Sequence, residues 1–95
     1  MRDHLAVVEC DHGGCEAQMA APAARLTVRA ETAGWQIAVP VSASADEDDV
    51  DLVLEDRCPE HQVQPLDLEE AARELRVPTR MLARHVAHAR RTPRP

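Results

Sequence analysis

Two short clusters of metal-binding residue types constrain this chain more than any other feature: Cys10-x4-Cys15 and Cys58-x2-His61. A stretch of 42 residues separates them. Each cluster alone is a weak signal. Together they supply four soft or borderline donors in two pairs, the set that a tetrahedral Zn²⁺ site uses. Thiolate and imidazole suit Zn²⁺ better than an iron–sulfur cluster, the other metal group this donor set could take. His12 lies between the first two cysteines and is a rival for the place of His61, with His4 a more distant one.

The rest of the composition makes such a staple necessary. The chain has 95 residues, no Phe, no Tyr and a single Trp, Trp35. Its hydrophobic fraction of 44% leans on alanine, which buries little area. A core this poor in large side chains needs a metal, disulfides or a partner. Three cysteines cannot close a disulfide framework without leaving one over. The opening run MRDHLAVVECD has no apolar stretch long enough for a signal peptide, and no segment approaches transmembrane length. The expected setting is therefore cytoplasmic, with reduced thiols that bind metal.

Along the chain, residues 5–9 (LAVVE) are β-prone and lead into Cys10. Gly13 and Gly14 suit a tight turn with positive φ. Residues 16–21 fit the returning strand of a hairpin, ended by Pro22. Residues 23–33 read as a helix with Leu26, Ala30 and Ala33 on one line, stopped by Gly34 at the C′ position. The competing reading there is a strand, because Leu26-Thr27-Val28 is β-prone. Residues 35–39 (WQIAV) alternate as a strand whose inward face is Trp35, Ile37 and Val39, and Pro40 marks an edge or an end. Residues 42–49 (SASADEDD) read as a solvated acidic loop without calcium-loop spacing. Residues 50–54 form another strand that delivers the second ligand pair.

This β–β–(α)–β–β order places one ligand turn at each end of the unit, a ribbon-like layout. Cys10-Asp11 with Gly14-Cys15, Gly34-Trp35, and Asp56-Arg57-Cys58-Pro59-Glu60-His61 carry a resemblance to small actinobacterial and actinophage zinc-ribbon-like proteins over residues 5–61. The resemblance implies a zinc-bound scaffold and no particular activity. The x4 spacing departs from the commoner Cys-x2-Cys knuckle.

Charge divides the chain. Residues 1–72 hold 4 Arg against 16 Asp and Glu, whereas residues 73–95 hold 7 Arg and one acid, Glu74. The basic segment follows a capped start in which Asp67, Glu69 and Glu70 crowd a helix N-terminus. Leu68, Ala71, Ala72 and Leu75 make the apolar face of that helix, and Val77-Pro78-Thr79 breaks it. A second helix over 79–91 sets Leu82, Val86 and Ala89 against Arg80, Arg84, His88 and Arg91.

Residues 67–86 (DLEEAARELRVPTRMLARHV) resemble the helix-turn-helix of lactose-repressor-type regulators. Arg76 stands where such turns usually have Gly, and His85 where an apolar residue is expected. The resemblance implies a recognition helix opening at 79–85. Arg80 and Arg84 would reach bases or phosphates, and Arg73, Arg76, Arg90 and Arg91 would sit on the backbone.

The expectation is thus an α+β fold: a small zinc-ribbon-like β-sheet unit with one short helix (1–61), a linker (62–66), a helical pair (67–91) and a disordered basic tail (92–95). The metal is structural Zn²⁺ on Cys10, Cys15, Cys58 and His61. The expected role is a DNA-binding transcriptional regulator, possible as a homodimer. The alternative is a protein-interaction adaptor that docks on transcription machinery, without membrane contact. No catalytic spacing or phosphate loop stands out, so no enzyme is expected.

Overall fold

The computed structural model describes residues 4–46 and 49–91, Arg91 by its backbone alone. The expected basic tail, residues 92–95, and Glu47 and Asp48 of the acidic loop lie outside the described residues. Among the described residues the fold is α+β, with two antiparallel hairpins and three α-helices.

The first hairpin pairs β1 (Leu5–Glu9) with β2 (Gln18–Pro22). Period-two alternation decides its faces: Ala6 and Val8 are buried, while Leu5, Val7 and Glu9 point to solvent. The hairpin ends in the turn that carries Cys10 and Cys15. A 3₁₀ turn (Ala23–Arg25) leads into α1 (Leu26–Thr32). The single expected helix over 23–33 is therefore a tighter turn followed by two turns of α-helix. Leu26 and Ala30 are buried, but Ala33, expected on the same line, is exposed. Gly34 stops the helix at φ 96°, and a Cβ there would sit 3.2 Å from Cγ of Pro59. Glycine is needed at this point both for its backbone conformation and for the close approach of the second ligand turn.

The second hairpin pairs β3 (Gln36–Ala45) with β4 (Val50–Arg57). It is longer than the sequence suggests. Ser42–Ala45, expected in a polar loop, are strand, and the loop shrinks to the tight turn in which Asp46 and Asp49 exchange backbone hydrogen bonds. Cross-strand pairing of Ala43 with Leu52 and Ala45 with Val50 overrides the polar composition. Pro40 does not end the strand, because the register shifts between Pro40 and Ser42 and a residue without N–H is tolerated there. A second irregularity lies between Gln36 and Val39, where Ala38 adopts φ 51°. Its N–H donates to Asp56 Oδ1 at 2.9 Å, which satisfies a buried amide that the ladder leaves out.

After a short 3₁₀ turn (Pro59–His61), residues 62–66 run back along β3. The Gln36 side chain clamps Val63, donating to its carbonyl and accepting from its N–H, each at 2.8 Å. Leu66 N–H donates to the Pro40 carbonyl at 2.8 Å. This stretch, expected as a linker, is tied to the sheet and fixes where the helical pair begins.

Helix α2 (Leu68–Leu75) starts on Asp67, whose Oδ1 accepts from the N–H groups of Glu69 and Glu70 at 3.0 and 3.3 Å. It ends in a Schellman turn. Arg76 takes the left-handed conformation at φ 58°, and Val77 N–H reaches the Ala72 carbonyl at 3.0 Å. Helix α3 (Thr79–Arg91) follows.

Two apolar clusters result. One joins Ala6, Val8, Cys10, Ala21, Leu26, Ala30, Trp35, Ile37, Ala38 and Cys58. The other joins Ala71, Ala72 and Leu82 of the helical pair with Ala43, Val50 and Leu52 at the far end of the long hairpin. Helix α3 touches both, since Ala89 packs on the first cluster while Leu82 is fully buried in the second. No helix among the described residues is long and apolar enough to cross a membrane.

Candidate metal centre

The end of β1 delivers Cys10, and a turn closed by Cys15 N–H on the His12 carbonyl (3.0 Å) brings Cys15 back beside it. Gly14, at φ 85°, makes that turn possible. The end of β4 delivers Cys58, and the 3₁₀ turn folds His61 over it, with His61 N–H on the Cys58 carbonyl at 3.0 Å. The two turns are locked together by Asp11 and Asp56. Asp11 N–H donates to the Asp56 carbonyl at 2.8 Å, and Asp56 N–H donates to Asp11 Oδ2 at 2.6 Å. Asp56 thus holds the β3 irregularity with its side chain and the ligand turn with its backbone.

The result is a four-residue group able to hold a metal ion. One donor atom each from Cys10, Cys15, Cys58 and His61 lie within 4.8 Å of one another. Sγ of Cys15 and Cys58 are 3.8 Å apart, and His61 Nδ1 is 3.2 Å from Cys58 Sγ and 3.9 Å from Cys10 Sγ. All three thiols are free, and 3.8 Å is far beyond the about 2.05 Å of a disulfide. Cys10 and Cys58 are buried, whereas Cys15 and His61 are half-buried.

The surroundings favour a thiolate at Cys10. Burial alone would raise its pKa, but hydrogen bonds from the backbone of Cys58 and His12, and from the other thiols, bring it down to about 7. At Cys15 a backbone hydrogen bond at Ala17 favours the thiolate. Burial and the neighbouring Cys10 and Cys58 outweigh it and hold that thiol above its usual value. Once one of the sulfurs is ionised, the next is harder to ionise without a cation between them.

His12 is not in the group of four. Its ring stacks on that of His61, with centroids 4.0 Å apart and planes 8° from parallel. Arg57 Nη1 donates to His12 Nδ1 at 3.2 Å, and Arg57 also bridges to Glu55. The Glu55 hydrogen bond raises the Arg57 pKa against some desolvation, and the charges of Glu55, Cys10 and Asp11 act in the same direction. A fixed positive charge therefore borders the sulfur cluster. Asp11, Asp56 and Arg57 support the site; the sequence places them among the residues of the ribbon-like resemblance but gives no sign of these contacts.

The arginines expected at nucleic acid do not act as one set. Arg73, Arg76, Arg80 and Arg84 are exposed on the helical pair. Arg90, also exposed, is tied to α1 instead. Its guanidinium forks onto the Glu31 carboxylate of α1, at 2.8 and 2.5 Å, and approaches the Ile37 carbonyl at 3.5 Å. That pairing raises the Arg90 pKa. The side chain of Arg91 lies outside the described residues. Compared with protein-family models, curated proteins and solved structures, the chain finds no match.

Proposed function

We propose that the chain is a small zinc-stabilised DNA-binding protein that presents α2 and α3 as a helix-turn-helix. The observation that carries this is the turn between the helices. Arg76 occupies the left-handed position of a Schellman turn, Ala71, Ala72 and Leu82 are buried where the helices meet, and Arg73, Arg76, Arg80 and Arg84 stay exposed. The long hairpin supplies, through Ala43, Val50 and Leu52, the apolar support that a third helix would otherwise give.

Zn²⁺ is the metal that fits the donor set best. Zn–S bonds of about 2.3 Å at tetrahedral angles place sulfurs about 3.8 Å apart, and Zn–N bonds of about 2.0–2.1 Å place nitrogen about 3.5 Å from sulfur. The Cys15–Cys58 separation of 3.8 Å and the His61 separations of 3.2 and 3.9 Å match or bracket these values. Four protein ligands leave no position for substrate, so the ion is structural. Three thiolates would leave the site with one net negative charge, which Arg57 is placed to offset.

The test is DNA binding by the zinc-loaded chain across a salt series. Log K should fall linearly with log salt, and Arg80→Ala with Arg84→Ala should flatten the slope by about 2 while weakening binding to every sequence. Unchanged binding in that variant would sink the assignment. The metal has a separate check: native mass should drop by one Zn²⁺ on chelation.

A protein partner in place of DNA is favoured by Leu5 and Val7, exposed together on the outer face of β1. A complex that survives high salt, with no DNA shift at low salt, would decide for that adaptor role.

A further inference from the structure

Beside α2 lies a groove of about 250 Å³, lined by Ala43, Leu66, Ala71 and Leu75 on its floor and by Asp67, Glu70 and Glu74 on its rim. The acids follow one another at spacings of three and four, so they form one stripe along the helix. No described ion pair involves any of the three. An apolar floor with an acidic rim fits a helix that offers a flexible apolar side chain flanked by cations.

The same chain carries such a helix. On α3, Arg80 and Arg84 are one turn apart and exposed, with His88 one turn further on. Met81, 41% exposed, stands about 60° round the helix from Arg84, at about 100° per residue. Methionine is the side chain best able to adapt to an irregular apolar groove. Acidic and basic stripes share the helical spacing, so two or more pairs can form at once.

We infer that this groove receives the Met81-bearing arginine face of α3 from a second copy of the chain. Because groove and arginine face sit on consecutive helices of one molecule, a two-fold pair fills both grooves reciprocally and closes as a dimer. The same arginines cannot face DNA while so engaged. DNA and self-association therefore compete for one surface. The dimer itself does not depend on the DNA assignment, since it forms from residues of this chain alone.

Sedimentation equilibrium of the zinc-loaded chain, without DNA, tests this. The wild type should pass from monomer to dimer across the micromolar range, with the equilibrium shifted to monomer by added salt. Glu70→Arg with Glu74→Arg, and separately Arg80→Glu with Arg84→Glu, should each weaken self-association by about a hundredfold or more, because like charges then meet. Mixing the two charge-reversed chains should restore a dimer containing one of each, which a merely misfolded variant could not do. A wild type that stays monomeric throughout, variants that dimerise like it, or a mixture that stays monomeric would each overturn the proposal. A monomeric wild type would leave the groove to a different protein.

Discussion

The cluster around the cysteines and the cluster around Leu82 solve the same shortage of large side chains in different ways. The first gathers Cys10, Cys15, Cys58 and His61 into a group able to hold a metal ion. Cys10 and Cys58 are themselves core residues, and Val8, Leu26, Trp35 and Ile37 are the larger side chains beside them. Without a cation its thiols form a buried group that cannot all ionise together. The second has no such group. It buries two alanines and Leu82, and relies on local devices: the Asp67 cap, the Schellman turn at Arg76 and the sheet end beneath. Where side chains are small, one region gathers four side chains able to hold a metal ion and the other relies on well-terminated helices. The first should be all-or-none in its metal, and the second should degrade in steps.

The largest expected effect comes from removing the metal. A structural Zn²⁺ contributes on the order of 10 kcal/mol of apparent folding free energy in small domains. Chelation, or Cys58→Ser, should expose Trp35 and shift its fluorescence to the red, while part of the helical circular dichroism from α2 and α3 survives. Trp35 reports on the first cluster alone, because it is the sole Trp. Simultaneous loss of both signals would show that the two clusters form one cooperative unit.

Next comes Leu82→Ala, which empties the centre of the second cluster. It should cost about 3 kcal/mol, within the usual range for a fully buried leucine, and leave bound zinc unchanged. Thermal melts followed by helical circular dichroism, with zinc content measured alongside, check both halves of that statement. Zinc lost together with Leu82 would erase the contrast between the clusters. Removing the cap with Asp67→Ala should cost about 1 kcal/mol, again in the helical signal only.

The smallest effect is the most informative about how the regions are joined. Arg90 and Glu31 are each more than a third exposed, so Arg90→Ala should cost less than about 1 kcal/mol. The same change should separate the Trp35 and helical transitions, because the fork is a polar tie between α3 and α1. Unchanged coincidence of the two transitions would assign the joining to Ala89 packing instead.

Much of this was legible in the residues themselves. The three cysteines of the candidate centre stand in two short clusters with a histidine beside each, and metal-ligand chemistry singles out that set before any fold is known. Both terminal helices were legible because their determinants are local: Asp67 before an acidic first turn, a break at Val77-Pro78, and apolar positions three and four apart. The long strand through Pro40 to Ala45 was not. Its composition is that of a loop, and its pairing partners on β4 are up to 14 residues away. Nor did the sequence distinguish His12 from His61 as the fourth donor. Only the folding of the 3₁₀ turn over Cys58 brings Nδ1 of His61 to the sulfurs and leaves His12 stacked outside.

The sequence by itself thus determined the donor types of the candidate centre, the α+β class, and where the two C-terminal helices start and stop, since these depend on residues within one turn or one knuckle of each other. Tertiary structure alone decided how the regions meet. Gln36 clamps Val63, Asp11 pairs with Asp56, and Glu31 withdraws Arg90 from the arginines of α3. These contacts join residues 27, 45 and 59 positions apart. No local propensity encodes such pairs, because each exists only after the two hairpins have closed and brought their ends together.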